Sequence, residues 1–181
     1  MTSKLIQKGA GLIAVLGAGL VAACGNSEDT LGTVTATLGG DSYTGVTLAP
    51  AGEREGSASY TKMGGLTMVN IQAHDLETGG LMDNVLSLSF SLMGEAGSSA
   101  FFEASLSFWP EGMSGPFYDS AQSGARVELE LDTLELGDSG RAKGTFAGSV
   151  CYQAGFYSEP DLGNCRPLKG SFDTGLVRFE Q

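Results

Sequence analysis

Glu130 and Glu135, with Asp132 between them, are the side chains whose spacing comes nearest to setting up chemistry in this chain. Two glutamates can cleave a glycosidic bond with retention when their carboxyls stand only about 5 Å apart. Five steps along a straight strand separate Cα atoms by about 16 Å, so only a bulged and strongly concave sheet would bring them together. The phase of the segment does break. Val127, Leu129 and Leu131 are odd-numbered, whereas Leu134 and Leu136 are even. A one-residue slip is how a β-bulge shows in a sequence, and a strand that stops at Asp132 leaves the same trace. A charged outer strand face explains the same letters without any catalysis.

Glu130-Leu131-Asp132-Thr133-Leu134-Glu135 matches the E-x-D-x-x-E pattern and so resembles a jelly-roll glycosidase family that retains configuration on β-glucans. The resemblance implies Glu130 as nucleophile, Asp132 as the residue that holds geometry and Glu135 as acid and base. The chain departs from that family in being short and in offering Trp109 as its one tryptophan for stacking on sugars. Gly137-Asp138-Ser139-Gly140 resembles the nucleophile segment of trypsin-like serine proteases. That mechanism needs a histidine base, and His74, the single histidine, lies in Gln72-Ala73-His74-Asp75, which lacks that family's histidine motif. The same four residues serve as a turn. The expectation is therefore a protein that is not an enzyme.

Acidic side chains recur in turns at Asp75, Glu77, Asp83, Asp138 and Asp161. Calcium needs several oxygens at close spacing, and no EF-hand-like loop is present. Solvated turns are expected, with no metal and no cofactor.

Cysteine chemistry divides as one plus two. Lys4 and Lys8 are followed by an uncharged run from Gly9 to Ala23, and then by Cys24. A charged start, a short apolar run and small residues form a secretory signal, and the run is shorter than the roughly 20 residues that span a bilayer. Leu20-Val21-Ala22-Ala23-Cys24 resembles the lipobox of bacterial lipoproteins. The resemblance implies removal of residues 1–23 and acylation of Cys24. Residues 24–30 then form a lipidated cysteine and short tether, and residues 31–181 the exported domain. Cys151 and Cys165 remain as an even pair, which in an exported protein reads as a disulfide.

Without the leader, eight basic residues face 21 acidic ones, a net charge near −13. Nucleic acid binding needs clustered Lys and Arg, so no nucleic-acid partner is expected. Attachment to a membrane would rest on acyl chains, of which stable anchoring takes more than one. Gly25 after the cysteine is not the Asp that resembles an inner-membrane retention signal. The expected place is the bacterial cell envelope, at the outer membrane where two membranes are present.

From residue 31 onward the apolar period is two. Val34, Ala36 and Leu38 alternate with threonines, and Leu86, Leu88, Phe90 and Leu92 with serines. Phe102, Ala104, Leu106 and Phe108 continue the pattern, as do Val127, Leu129 and Leu131. Such alternation marks strands with one buried face. Shorter candidates are Tyr43–Leu48, Ser57–Met63, Leu66–Ala73, Thr145–Tyr152 and Leu168–Phe179. About nine strands predict a single antiparallel β-sandwich, or alternatively a lipocalin-like closed or flattened barrel. Lys143-Gly144-Thr145-Phe146 and Lys169-Gly170-Ser171-Phe172 are near copies. They predict one hairpin, with a Cys151–Cys165 bridge at the neck of its loop.

Trp109, Phe117, Tyr118, Phe156 and Tyr157 lie in or beside the two longest irregular segments, Pro110–Gly124 and Gln153–Asn164. Loops at one end of a β domain often build a binding surface; rings there also fold back to plug the core. The last 70 or so residues loosely resemble small β-rich lipoprotein domains of no assigned activity. The functional expectation is non-catalytic binding or an envelope-structural role, with an envelope protein or a small apolar ligand as partner. A carrier should hold an interior cavity of several hundred Å³ lined by Leu and Phe.

Overall fold

The computed structural model describes residues 29–52, 55–78, 80–93, 101–137 and 139–179, with Phe101 and Phe102 described in backbone only. The leader, Cys24 and Asp138 lie outside the described residues, as does the tether up to residue 28. The described residues form β1 (Thr30–Leu38), β2 (Asp41–Leu48), β3 (Ala58–Met63), β4 (Leu66–His74) and β5 (Val85–Met93). They continue with β6 (Phe101–Trp109), β7 (Phe117–Asp119), β8 (Glu128–Glu135), β9 (Gly140–Gln153) and β10 (Asp161–Arg178). Among the described residues there is no helix.

The alternation read from the sequence is what drives these strands. Val34, Ala36 and Leu38 are buried on β1, and Leu86, Leu88, Phe90 and Leu92 on β5, while the hydroxyl side chains between them face out. Strand order is β2-β1-β10-β3-β4-β5-β6-β7-β9-β8, with further pairings β2–β4 and β10–β9. The long β9 and β10 each turn from one neighbour to another along their length. β9 meets β8 first and β7 later, and β10 meets β1 and then, over Val177–Arg178, β3. The pairings thus run from β1 through β2, β4, β5, β6, β7, β9 and β10 back to β1. One joint is a single bridge, Val46 to His74. The result is one all-β sheet wrapped around one core, sandwich-like in filling and barrel-like in pairing.

Two details differ from expectation. There are ten strands, because the short β7 crosses the segment expected to be irregular. The sheet is also mixed, since β10 pairs with β3 in parallel over two residues.

β9 and β10 form the predicted hairpin. Gly170 pairs with Phe146 and Phe172 with Gly144, so each ring covers a glycine on the neighbouring strand. A Cβ at Gly170 would stand 2.7 Å from the Phe146 ring and 2.3 Å from the Thr35 carbonyl, so no side chain fits there. Cys151 and Cys165 pair directly across this hairpin and are joined as a disulfide. The β-bulge is also present. Leu131 pairs with Gly144 and Thr133 with Lys143, which leaves Asp132 as the extra residue.

Candidate binding site

Strand directions sort the connections into two ends. The chain enters β1 at one end, together with the β3–β4 and β8–β9 turns. At the other end lie the β1–β2 turn and the loops after β4, β6 and β9, because His74, Val85, Trp109, Phe117 and Gln153 follow one another in register. At this loop end the core opens into a cup of about 450 Å³. Its floor and walls are inward-facing ends of strands: Leu38, Tyr43, Leu86, Phe108, Tyr118 and Leu168. All but Phe108 are buried, so the apolar lining extends from the core itself.

The rim is polar and tightly knit. Tyr43 packs edge-on against Phe108, with centroids 5.8 Å apart. Its hydroxyl donates to the Ala73 carbonyl at 2.7 Å and lies 3.1 Å from the Asn84 carbonyl. Burial pushes that hydroxyl well above its ordinary pKa, and the bonds to carbonyls keep it a donor. Asn84 adopts φ 52°, a left-handed conformation that Asn tolerates better than most residues. Its amide Nδ2 donates to Thr78 Oγ1 at 3.0 Å and its backbone N–H to the Pro110 carbonyl. Asp75 is fully engaged. It accepts from the Thr78 hydroxyl and from the backbone N–H groups of Thr78 and Glu77. Those bonds, the hydroxyl first, hold its carboxyl below the usual carboxylate range.

Arg166 is different. It shares the inward phase of Leu168 and Phe172 on β10, and its guanidinium lies over the Tyr118 ring, 5.0 Å from the centroid. Gly39, at φ 61° in the β1–β2 turn, approaches the other side so closely that a Cβ there would stand 3.2 Å from Arg166 Cδ. Among the described residues Arg166 makes no ion pair and no side-chain hydrogen bond. Asp41 lines the same cup but is exposed.

The predicted aromatic residues split between two faces. Tyr118 faces the cup and meets Tyr152 edge-on, with centroids 5.6 Å apart. Its neighbour Phe117 faces out and stacks on Trp109 at 4.2 Å, in a small cluster with Val85. Phe156, from the loop closed by the disulfide, lies over both rings at 5.3 and 5.4 Å. Phe156 remains 62% exposed and Tyr157 is fully exposed. Trp109 and Phe117 therefore support the loop, while Phe156 and Tyr157 stay exposed to solvent.

The sequence candidates for catalysis stand elsewhere. Glu130 and Glu135 are exposed on β8, opposite Thr145 and Arg141, with the bulge between them. Four register steps on β9 correspond to about 13 Å between backbones. The groove beside the bulge is lined by Asp132 and Lys143 and by neither glutamate. Ser139 lies in the β8–β9 turn at the chain-entry end, and His74 at the loop end of β4. His74 Nδ1 lies 2.9 Å from the Leu81 carbonyl, to which it donates in tying down the β4–β5 loop. Among the described residues no group of three or more His, Cys, Asp or Glu is placed to hold a metal ion. An open groove of about 560 Å³ lies on the outer face of β3 to β6, lined by hydroxyls such as Ser59 and Ser89, by Met68, Phe90 and Phe179, and by the acids Glu55 and Glu103. It is more open than the cup and, among the described residues, has no cationic side chain in its lining.

Tyr43, Asn84 and Arg166 were not among the residues singled out from sequence. Arg166 carried a signal, since it continues the even-numbered phase of Leu168, Phe172 and Leu176. Comparison of the chain with protein-family models, curated proteins and solved structures finds no match.

Proposed function

We propose that this chain is an exported bacterial lipoprotein, held in the cell envelope by acyl chains on Cys24, whose β domain binds a ligand without transforming it. Where two membranes are present, the outer membrane is its site. The observation that carries the binding reading is the cup of about 450 Å³ at the loop end, walled by buried Leu and aromatic side chains. Pockets of this size, mostly apolar and with a few placed polar groups, suit small ligands. The cup is therefore the ligand site, and the domain acts as a carrier or receptor at the membrane surface. A second contact is supported by Phe156 and Tyr157, whose exposed rings beside the cup suit an envelope protein.

Native mass spectrometry of protein taken from its host tests both halves of this reading. The expected spectrum carries acyl chains on Cys24 and a small-molecule adduct. Ser42→Trp, at the exposed rim of the cup, should lose the adduct and keep the acyl mass. An intact leader, or an adduct indifferent to Ser42→Trp, would sink the corresponding half.

A further inference from the structure

We infer that the cup selects a small amphipathic carboxylate, with the apolar body on the aromatic floor and the carboxylate paired with Arg166. The inference rests on the reading of the cup as a ligand site and goes on to name the ligand's chemistry. An arginine on the inward face of a strand is costly unless its donors find partners. Here Arg166 is half-buried, with its guanidinium over the face of Tyr118 and its stem beside Gly39, and has no carboxylate partner among the described residues. A planar guanidinium presents paired donors in a fork that matches a carboxylate bidentately.

The two acids of the cup do not cancel this preference. Asp75 is occupied by Thr78 and Glu77 and caps its own turn. Asp41 is exposed, so water and salt screen its charge. A cationic ligand would find only that solvated acid and would face Arg166 directly. A neutral ligand would offer the guanidinium only uncharged acceptors, which make weaker hydrogen bonds than a carboxylate. An anion with an apolar tail uses both the charge and the floor of Leu38, Leu86, Phe108 and Leu168.

The probe is 4-phenylbutyrate, compared with its neutral isostere 4-phenylbutyramide. Each is titrated calorimetrically against full-length lipidated protein in nanodiscs at pH 7.5, with empty nanodiscs as the blank. The carboxylate should bind at least about tenfold more tightly than the amide, the usual scale of a charge-assisted hydrogen bond. Arg166→Gln, which keeps most of the stem beside Gly39 and removes the guanidinium, should bring the carboxylate down to the amide's level. Arg166→Lys should fall between, since it keeps the charge and loses the fork. Equal binding of the two probes, no binding of either, or carboxylate binding unchanged in Arg166→Gln would overturn the inference. Those outcomes leave the adduct test of the cup standing, because mass spectrometry reports whatever ligand is bound. A melting temperature of Arg166→Gln close to wild type separates lost recognition from lost structure.

Discussion

Asp119 shows how a single side chain on the outer face of β7 trades solvation for order. It ends β7, between Ser107 of β6 and Cys151 of β9, and caps the next turn by accepting from the Ala121 N–H at 2.7 Å. Burial raises its pKa above the ordinary 3.8, against the opposing effect of that hydrogen bond. A carboxyl raised by folding is no burden below its unfolded value. It begins to destabilise as pH climbs through that value and does so fully above its folded one. Asp119→Asn keeps an acceptor for Ala121 and removes the charge. We expect this variant to melt above wild type at pH 7 and together with it at pH 3; the reverse order at pH 7 would show that the anion is needed. At Gly39 the constraint is both positive φ and the adjacent Arg166 stem. Gly39→Ala should lower stability by about 1 kcal/mol or more. It should also weaken carboxylate binding, by pushing the guanidinium off Tyr118.

At the level of strands, β8 explains its acids without chemistry. It closes the strand order beyond β9 and so, among the described residues, offers an unpaired edge. Glu128, Glu130, Asp132 and Glu135 are exposed along it, and Asp132 makes the bulge. Charge and a local kink are the usual means by which an edge avoids pairing with another chain. Replacing Glu128, Glu130 and Glu135 together by Thr should produce concentration-dependent association in light scattering, with the melting of dilute protein little changed. A monodisperse triple variant would return β8 to the list of possible working surfaces.

How much was legible follows from side-chain size. β5 and β6 announce themselves because Leu and Phe alternate with Ser over whole strands. The first half of β9 was hidden because Gly140, Ala142 and Gly144 carry little apolar signal at its inward positions. β7 was hidden by its three-residue length, and the start of β10 by a register shift between Asp161 and Cys165. The disulfide was readable from cysteine arithmetic alone, and the bulge at Asp132 from a slip of phase. The cup was not readable. It is made where six strands from distant parts of the chain end at one level, and Arg166 fell in the gap between the loop expected to end at Asn164 and the strand expected to begin at Leu168.

For the molecule as a whole, the proposed reading gives the two ends different roles. β1 begins six residues after Cys24 and runs nine residues toward the loop end, a length of roughly 25 to 30 Å. With acyl chains on Cys24, the β3–β4 turn sits near the lipid and the cup faces away. Fluorophores on Lys62→Cys and Tyr157→Cys in proteoliposomes containing a headgroup quencher test this directly. The label at 62 should be quenched strongly and that at 157 weakly; equal quenching would mean that the domain lies on its side.

The bridge between Cys151 and Cys165 closes a loop with a sequence separation of 14. Replacing both cysteines by Ser should cost roughly 3 kcal/mol in denaturant unfolding. Its reach is wider than stability. Cys165 is bonded on one side of β10 and Arg166, the very next residue, enters the cup from the other. The bond therefore fixes the strand backbone from which Arg166 projects. On the proposed reading of an exported carrier, chains still in the reducing interior of the cell would lack this staple, and the cup would take its final form only after crossing the membrane.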